Sequence, residues 1–193
     1  MARLLSLTDL FSAVFPLRVG RVHEACGPGV IAFAAILAGK SAGDILWVSQ
    51  RRINIQLNRS GLIPFCDPAR ILIAACRDQT DALAVAEEAL RSGAVSLVVI
   101  EISKPLSLTA GRRLQLAAQA GRATGLCLIP EGMGSNAAET RWHCTPVFDP
   151  ETVADSTLMR WRLIKNKLAT KGSWDVRWEH AARRLDVVFA SGE

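Results

Sequence analysis

Between Ala94 and Ile102 the chain is apolar almost without interruption; only Ser96 and Glu101 break the run. A strand that is apolar at consecutive positions is buried on both faces, which is the mark of a parallel sheet with helices on either side. Parallel strands need long crossover connections, and the flanking sequence supplies them. Upstream, Thr80 begins a helical pattern in which Leu83, Ala86 and Leu90 share a face, Glu87 stands one turn from Arg91, and Gly93 offers a left-handed stop. Downstream, Thr109 to Ala120 repeats the pattern with Leu114, Ala117 and Ala118 inward and Gly121 at its end, followed by the strand Gly125 to Ile129, which Pro130 closes. With Ile45 to Val48 and Ile71 to Ala74 as earlier strands, the succession is right-handed βαβ winding, so the fold class is an α/β open sheet.

The two ends differ from this middle. Leu4, Leu7, Phe11 and Val14 recur at helical spacing and stop before Pro16, so residues 1–20 read as an amphipathic arm that docks on the domain or on a partner. The core then spans 21–180. After Gly132 the period changes from helical to alternating. Arg160, Arg162 and Ile164 alternate with Met159, Trp161 and Leu163, and Trp174, Val176 and Trp178 alternate with Asp175, Arg177 and Glu179. These are half-exposed antiparallel strands at the sheet edge. Residues 181–193 read as an edge strand around Val187-Val188-Phe189 or as a tail for a partner.

A chain of 193 residues with 50% hydrophobic content suits one domain and excludes disorder as a description of the whole. A chain of this length buries roughly 70% of its unfolded surface without disulfides or metal. The net charge of +5 is concentrated, since Arg160, Arg162, Lys165, Lys167, Lys171 and Arg177 face a single acid, Asp175, within 160–177. Such a segment suits DNA or another polyanion, or is a solvated strand. Its tryptophans, Trp161, Trp174 and Trp178, could stack bases, although alternating strand tryptophans more often form core. The five cysteines are widely spaced, form no C-x-x-C and lie in apolar surroundings, so they are expected to be reduced thiols of a cytoplasmic protein. Cys144 beside His143 lacks metal-ligand spacing, and no metal site is expected. No apolar run approaches the roughly 18 residues of a membrane helix, and no export signal is expected.

The segment His23 to Ala34 occupies the place where an α/β nucleotide binder carries its first strand, glycine loop and helix. In the pattern G-x-x-x-x-G-K-[ST], backbone amides cradle the phosphates, the lysine neutralises charge and the hydroxyl holds Mg²⁺. Counted from Gly27, with Pro28 and Gly29 following, the second glycine is Ala32, the lysine is Phe33 and the hydroxyl residue is Ala34. The phenylalanine removes the charge and is expected to put a ring where phosphate would sit, which takes away ordinary ATP hydrolysis. Taken by themselves, the residues describe Gly27-Pro28-Gly29 more simply as a tight turn entering a helix.

Residues 82–109, ALAVAEEALRSGAVSLVVIEISKPLSLT, together with Thr140-Arg141-Trp142 and Leu163-Ile164-Lys165-Asn166-Lys167-Leu168-Ala169, resemble a bacterial RecA-type recombinase core over roughly 24–178. The resemblance implies a RecA-like P-loop core with a degenerate Walker A loop and places Glu101 at the Walker B acid. It implies that Lys165 and Lys167 descend from a pair that reaches a neighbouring subunit's nucleotide. It also matches the water-activating glutamate to Gln50 and the γ-phosphate sensor to Glu131, so several catalytic positions are altered together. Both DNA-holding loops are short, at 103–107 and about 131–139. Within this group, RVHEACGPG (21–29), FCDPARIL (65–72), EEALRSGAV (87–95) and WRL (161–163) resemble the ImuA family of bacterial mutagenesis accessory proteins.

That family resemblance implies an SOS-induced protein of error-prone translesion DNA synthesis. It would act with ImuB, an inactive polymerase homologue, with an error-prone C-family polymerase and with RecA. So read, the chain is a non-catalytic adaptor with no catalytic residue and no bound cofactor, ATP and Mg²⁺ included. It would contact DNA, if at all, through Arg160, Arg162, Lys165 and Lys167, and assembly into oligomers stays open. Two other readings stand beside it. One is a weak ATPase that uses Glu101 for Mg²⁺ and the lysine pair in trans, against which the lysines could simply point outward. The other is a SulA-like cell-division inhibitor.

Overall fold

The computed structural model describes residues 7–51, 57–149, 155–168 and 171–189. Six strands run parallel: β1 (Val22–Cys26), β2 (Ile45–Gln50), β3 (Ile71–Cys76), β4 (Leu97–Glu101), β5 (Thr124–Leu128) and β6 (Thr140–Pro146). Three more, β7 (Ser156–Asn166), β8 (Gly172–Glu179) and β9 (Arg184–Phe189), continue the sheet in antiparallel fashion from β6. The nine-stranded order is β3-β2-β4-β5-β1-β6-β7-β8-β9. The change of sequence period after Gly132 thus corresponds to a change of pairing that begins at the β6/β7 contact. β9 takes in the Val187-Val188-Phe189 segment, so this part of the chain end is an edge strand of the sheet.

Helices cover the two faces unequally. On one face, α4 (Gln79–Ser92) and α5 (Leu108–Gly121) bury Ala82, Ala86, Leu90, Leu114, Ala117 and Ala118 against β4, β5 and β1. Asp78 caps α4 by accepting from the Asp81 N–H, and Ser107 caps α5 by accepting from the Ala110 N–H. α4 ends at Gly93 in the left-handed region, φ +65°. In α5 the left-handed residue is Arg122, φ +54°, rather than the expected Gly121. Gly121 is needed for a different reason: a side chain there would strike the Leu90 and Arg91 carbonyls where the two helices cross.

The other face holds α1 (Leu7–Ser12), α2 (Val30–Lys40) and α3 (Arg59–Leu62). Phe33 to Ala38 of α2 are buried at every successive position, as in a helix enclosed on all sides. All five tryptophans lie in this core, so Trp161, Trp174 and Trp178 are packing residues and no base can stack on them. Phe11 of α1 packs 5.5 Å from both Phe15 and Trp174, so the arm from residue 7 onward is folded onto its own domain, while Leu4 lies outside the described residues.

Candidate functional site

β1 delivers the chain to the carboxyl end of the parallel strands, the usual ligand edge of an open α/β sheet. The turn that follows is closed. Gly27 has φ +95°, and a side chain there would lie 2.5 Å from the Cys144 carbonyl oxygen. The Gly29 N–H donates to that same carbonyl at 2.8 Å, and the Val30 N–H folds back on the Gly27 carbonyl at 3.2 Å. Pro28 has no N–H to offer. A phosphate loop works because its amides point freely at the anion; here the Gly29 amide is used to bind the turn to β6.

Phe33 does not stand at the mouth of this turn, contrary to the expectation that its ring replaces a phosphate. It is fully buried, with its ring centroid 4.7 Å from Trp161, 5.7 Å from Trp142 and 5.8 Å from Phe15. Ala34 is also fully buried, and Ala32 is half-buried against the same core.

Glu101, at the end of β4, is buried and accepts from the Trp47 indole N–H at 2.8 Å through Oε1. Its Oε2 has no partner among the described residues. Burial pushes the carboxyl pKa up, and the Trp47 bond offsets this in part. Gln50 donates to the Glu101 carbonyl at 3.0 Å and accepts from the Ser103 hydroxyl at 3.0 Å. Gln79 accepts from the Ser103 and Lys104 amides at 2.9 and 2.8 Å. Gln50 therefore ties the start of the short 103–107 loop to β4. Glu131 is exposed and lies 3.2 Å from His143 Nε2.

A second cluster organises the loop between β5 and β6. Glu24, in the middle of β1, is buried and accepts from the Ser135 amide and from Arg141 Nε, each at 2.7 Å. Lys165 donates to the carbonyls of Ser135, Asn136 and Ala138 at 3.1, 3.0 and 2.6 Å, and Lys167 to that of Ala137 at 2.7 Å. Desolvation, then the Arg141 charge, lowers the Lys165 pKa. Lys165 is half-buried and Lys167 exposed, and both ammonium groups fasten the 135–138 loop of their own chain. No motif in the sequence marks Glu24 and Arg141 as a pair. The readable signal was an acid inside an otherwise apolar strand, which must find a partner when buried.

The rest of the basic segment is partly neutralised. Arg160 makes a bidentate pair with Asp175 at 2.6 and 2.7 Å, and Arg177 binds Asp149 at 2.8 Å. Arg162 is exposed, 3.2 Å from His143 Nδ1, and Lys171 is exposed. The five cysteines are unpaired and buried, and no cluster among the described residues could hold a metal ion. No helix among them is long and apolar enough to cross a membrane.

Fold and site together define a mixed α/β protein, mostly parallel with an antiparallel edge, whose Gly27–Gly29 turn is packed against a neighbouring strand. No family model matches the chain. It is 30% identical over 161 residues to Protein ImuA of Caulobacter vibrioides, in strain NA1000 / CB15N and in strain ATCC 19089 / CIP 103742 / CB 15. The match takes in 75% of this chain and spans 64% of the length of those relatives. The chain is thus similar to Protein ImuA over this stretch and spans less than two thirds of that protein's length. Among solved structures, SulA from Pseudomonas aeruginosa is similar at 27% identity with a TM-score of 0.46, covering 56% of this chain and 97% of that one.

Proposed function

We propose that this protein is a non-catalytic, RecA-like adaptor in SOS-induced, error-prone translesion DNA synthesis, and that it works by docking. The partners in this reading are ImuB, an error-prone C-family polymerase and RecA. The similarity to Protein ImuA suggests the process. The observation that supports the adaptor role is the Gly29 amide bonded to the Cys144 carbonyl, which takes up an N–H that a working phosphate loop would leave free for the anion. The retained lysines support the same reading, because their ammonium groups bind carbonyls of their own chain.

Co-purification of the tagged protein with ImuB and with RecA tests the proposal. Binding to ImuB, unchanged by added Mg·ATP, is expected; binding to neither partner would overturn it. One feature favours the weak-ATPase reading, the unpartnered oxygen of Glu101, which remains an acid where Mg²⁺ chemistry would need one.

A further inference from the structure

A groove of about 470 Å³ runs between α5 and the 135–138 loop, lined by Leu108, Arg112, Gln115, Leu116, Asn136 and Ala137 with Lys167 at its wall. Leu108, Arg112 and Leu116 lie along one stripe of α5, and the two leucines are exposed at 49% and 66%. Exposed leucines flanking a groove mark an interaction surface more readily than scattered single ones.

The charge of the groove is one-sided. Among the described residues Arg112 makes no ion pair and no acid lines the groove, and Lys167, its ammonium held by the Ala137 carbonyl, adds a second cation. The first turn of α5 has no acidic residue, so the positive end of the helix adds to the same field.

The wall is also preorganised. Glu24, Arg141, Lys165 and Lys167 hold the loop, and Gln115 donates to the Ala137 carbonyl at 3.0 Å while gripping the Val22 carbonyl at 2.8 Å. A partner therefore does not have to order this loop on binding, which reduces the entropy cost of association.

We infer that this groove is a docking site for an acidic, amphipathic peptide segment of a partner protein, its apolar residues on Leu108 and Leu116 and a carboxylate on Arg112. This deepens the adaptor reading and rests on it. The cations alone would also suit nucleic acid, but exposed leucines on both sides of Arg112 favour a peptide with apolar anchors.

The test is selection of peptides from a random display library on the wild-type protein, with counter-selection on Arg112→Glu. The selected peptides are then synthesised with a fluorophore and titrated by anisotropy. Acidic, leucine- or isoleucine-bearing peptides are expected, weakened about tenfold by Arg112→Glu, as for loss of a close charge pair. They should also weaken with Leu116→Ser, and with Leu108→Ser as a second variant. All three side chains are exposed, so the melting temperature should not change.

Selection of basic or neutral peptides, peptides insensitive to all three substitutions, or none at all would overturn the groove assignment. Displacement of the peptide by a single-stranded dT oligonucleotide would overturn it in favour of nucleic acid. Co-purification with ImuB separates the two levels. Peptide selection that fails while ImuB or RecA still binds removes only the groove, and binding to neither removes the adaptor.

Discussion

Replacing Phe33 by lysine is the substitution that would restore a phosphate-loop residue if position in the sequence were all that mattered. The structure predicts that it unfolds the protein. Phe33 is fully buried against Trp161, Trp142 and Phe15. Removing a buried phenylalanine costs about 3–5 kcal/mol in lost burial and cavity. A lysine ammonium in that place has no acid to pair with and must be neutralised or left uncompensated, which adds several kcal/mol more. The total is comparable to the whole stability of a domain, about 5–15 kcal/mol. Phe33→Leu, which keeps most of the volume, should cost about 1–2 kcal/mol and lower the melting temperature by about 2–8 °C at this chain length. Urea unfolding followed by tryptophan fluorescence reads both variants. A Phe33→Lys protein that folds within about 1 kcal/mol of wild type would refute the placement of this ring in the core.

His23 is buried between the Thr140 hydroxyl, 2.7 Å from Nδ1, and the Arg18 carbonyl, 3.1 Å from Nε2, and its pKa is lowered by burial from 6.5 to about 4. The unfolded chain takes up the proton first, so stability is full above about pH 6.5 and falls as the pH drops to about 4, by up to about 3 kcal/mol. In denaturant titrations His23→Gln should flatten that segment, and an unchanged slope would contradict the assignment. Glu101 has a raised folded pKa, so its contribution is present at low pH and lost as the pH rises through that value. Glu101→Gln should therefore be more stable than wild type at pH 8, with the gain vanishing near pH 4; a loss at pH 8 would contradict this. Of the six cations in 160–177, Arg160 and Arg177 are paired with acids and the two lysines are bound to carbonyls, which leaves Arg162 and Lys171. If this segment binds single-stranded DNA, its log-log salt slope should be no steeper than about −1.4, and a slope near −3 would mean that the paired cations are recruited.

The parallel half of the fold was legible because buried strands and amphipathic helices announce themselves locally, as β4, α4 and α5 do. What escaped the sequence depends on partners far along the chain. The closure of the Gly27–Gly29 turn needs the Cys144 carbonyl, and nothing near residue 27 points to it. Counting from Gly27 gives the position of Phe33 but not its direction, which the ring cluster sets. Lys165 is more instructive. Alternation from Met159, Trp161 and Leu163 would send it into the core. The register shift opposite Arg141/Trp142 pairs it with Arg141 instead, and so brings it to the 135–138 loop. Gly121 shows the same limit, since its reason is the crossing of two helices rather than a left-handed turn.

If the Gly27–Gly29 turn is bonded shut by β6 and the protein acts by docking, Mg·ATP finds no site on it. Titration of the wild-type chain with Mg·ATP into the millimolar range, read by calorimetry and by melting temperature, tests it most directly. No heat of binding and no shift in melting temperature are expected. Saturable binding, with a melting temperature that rises with nucleotide, would contradict it.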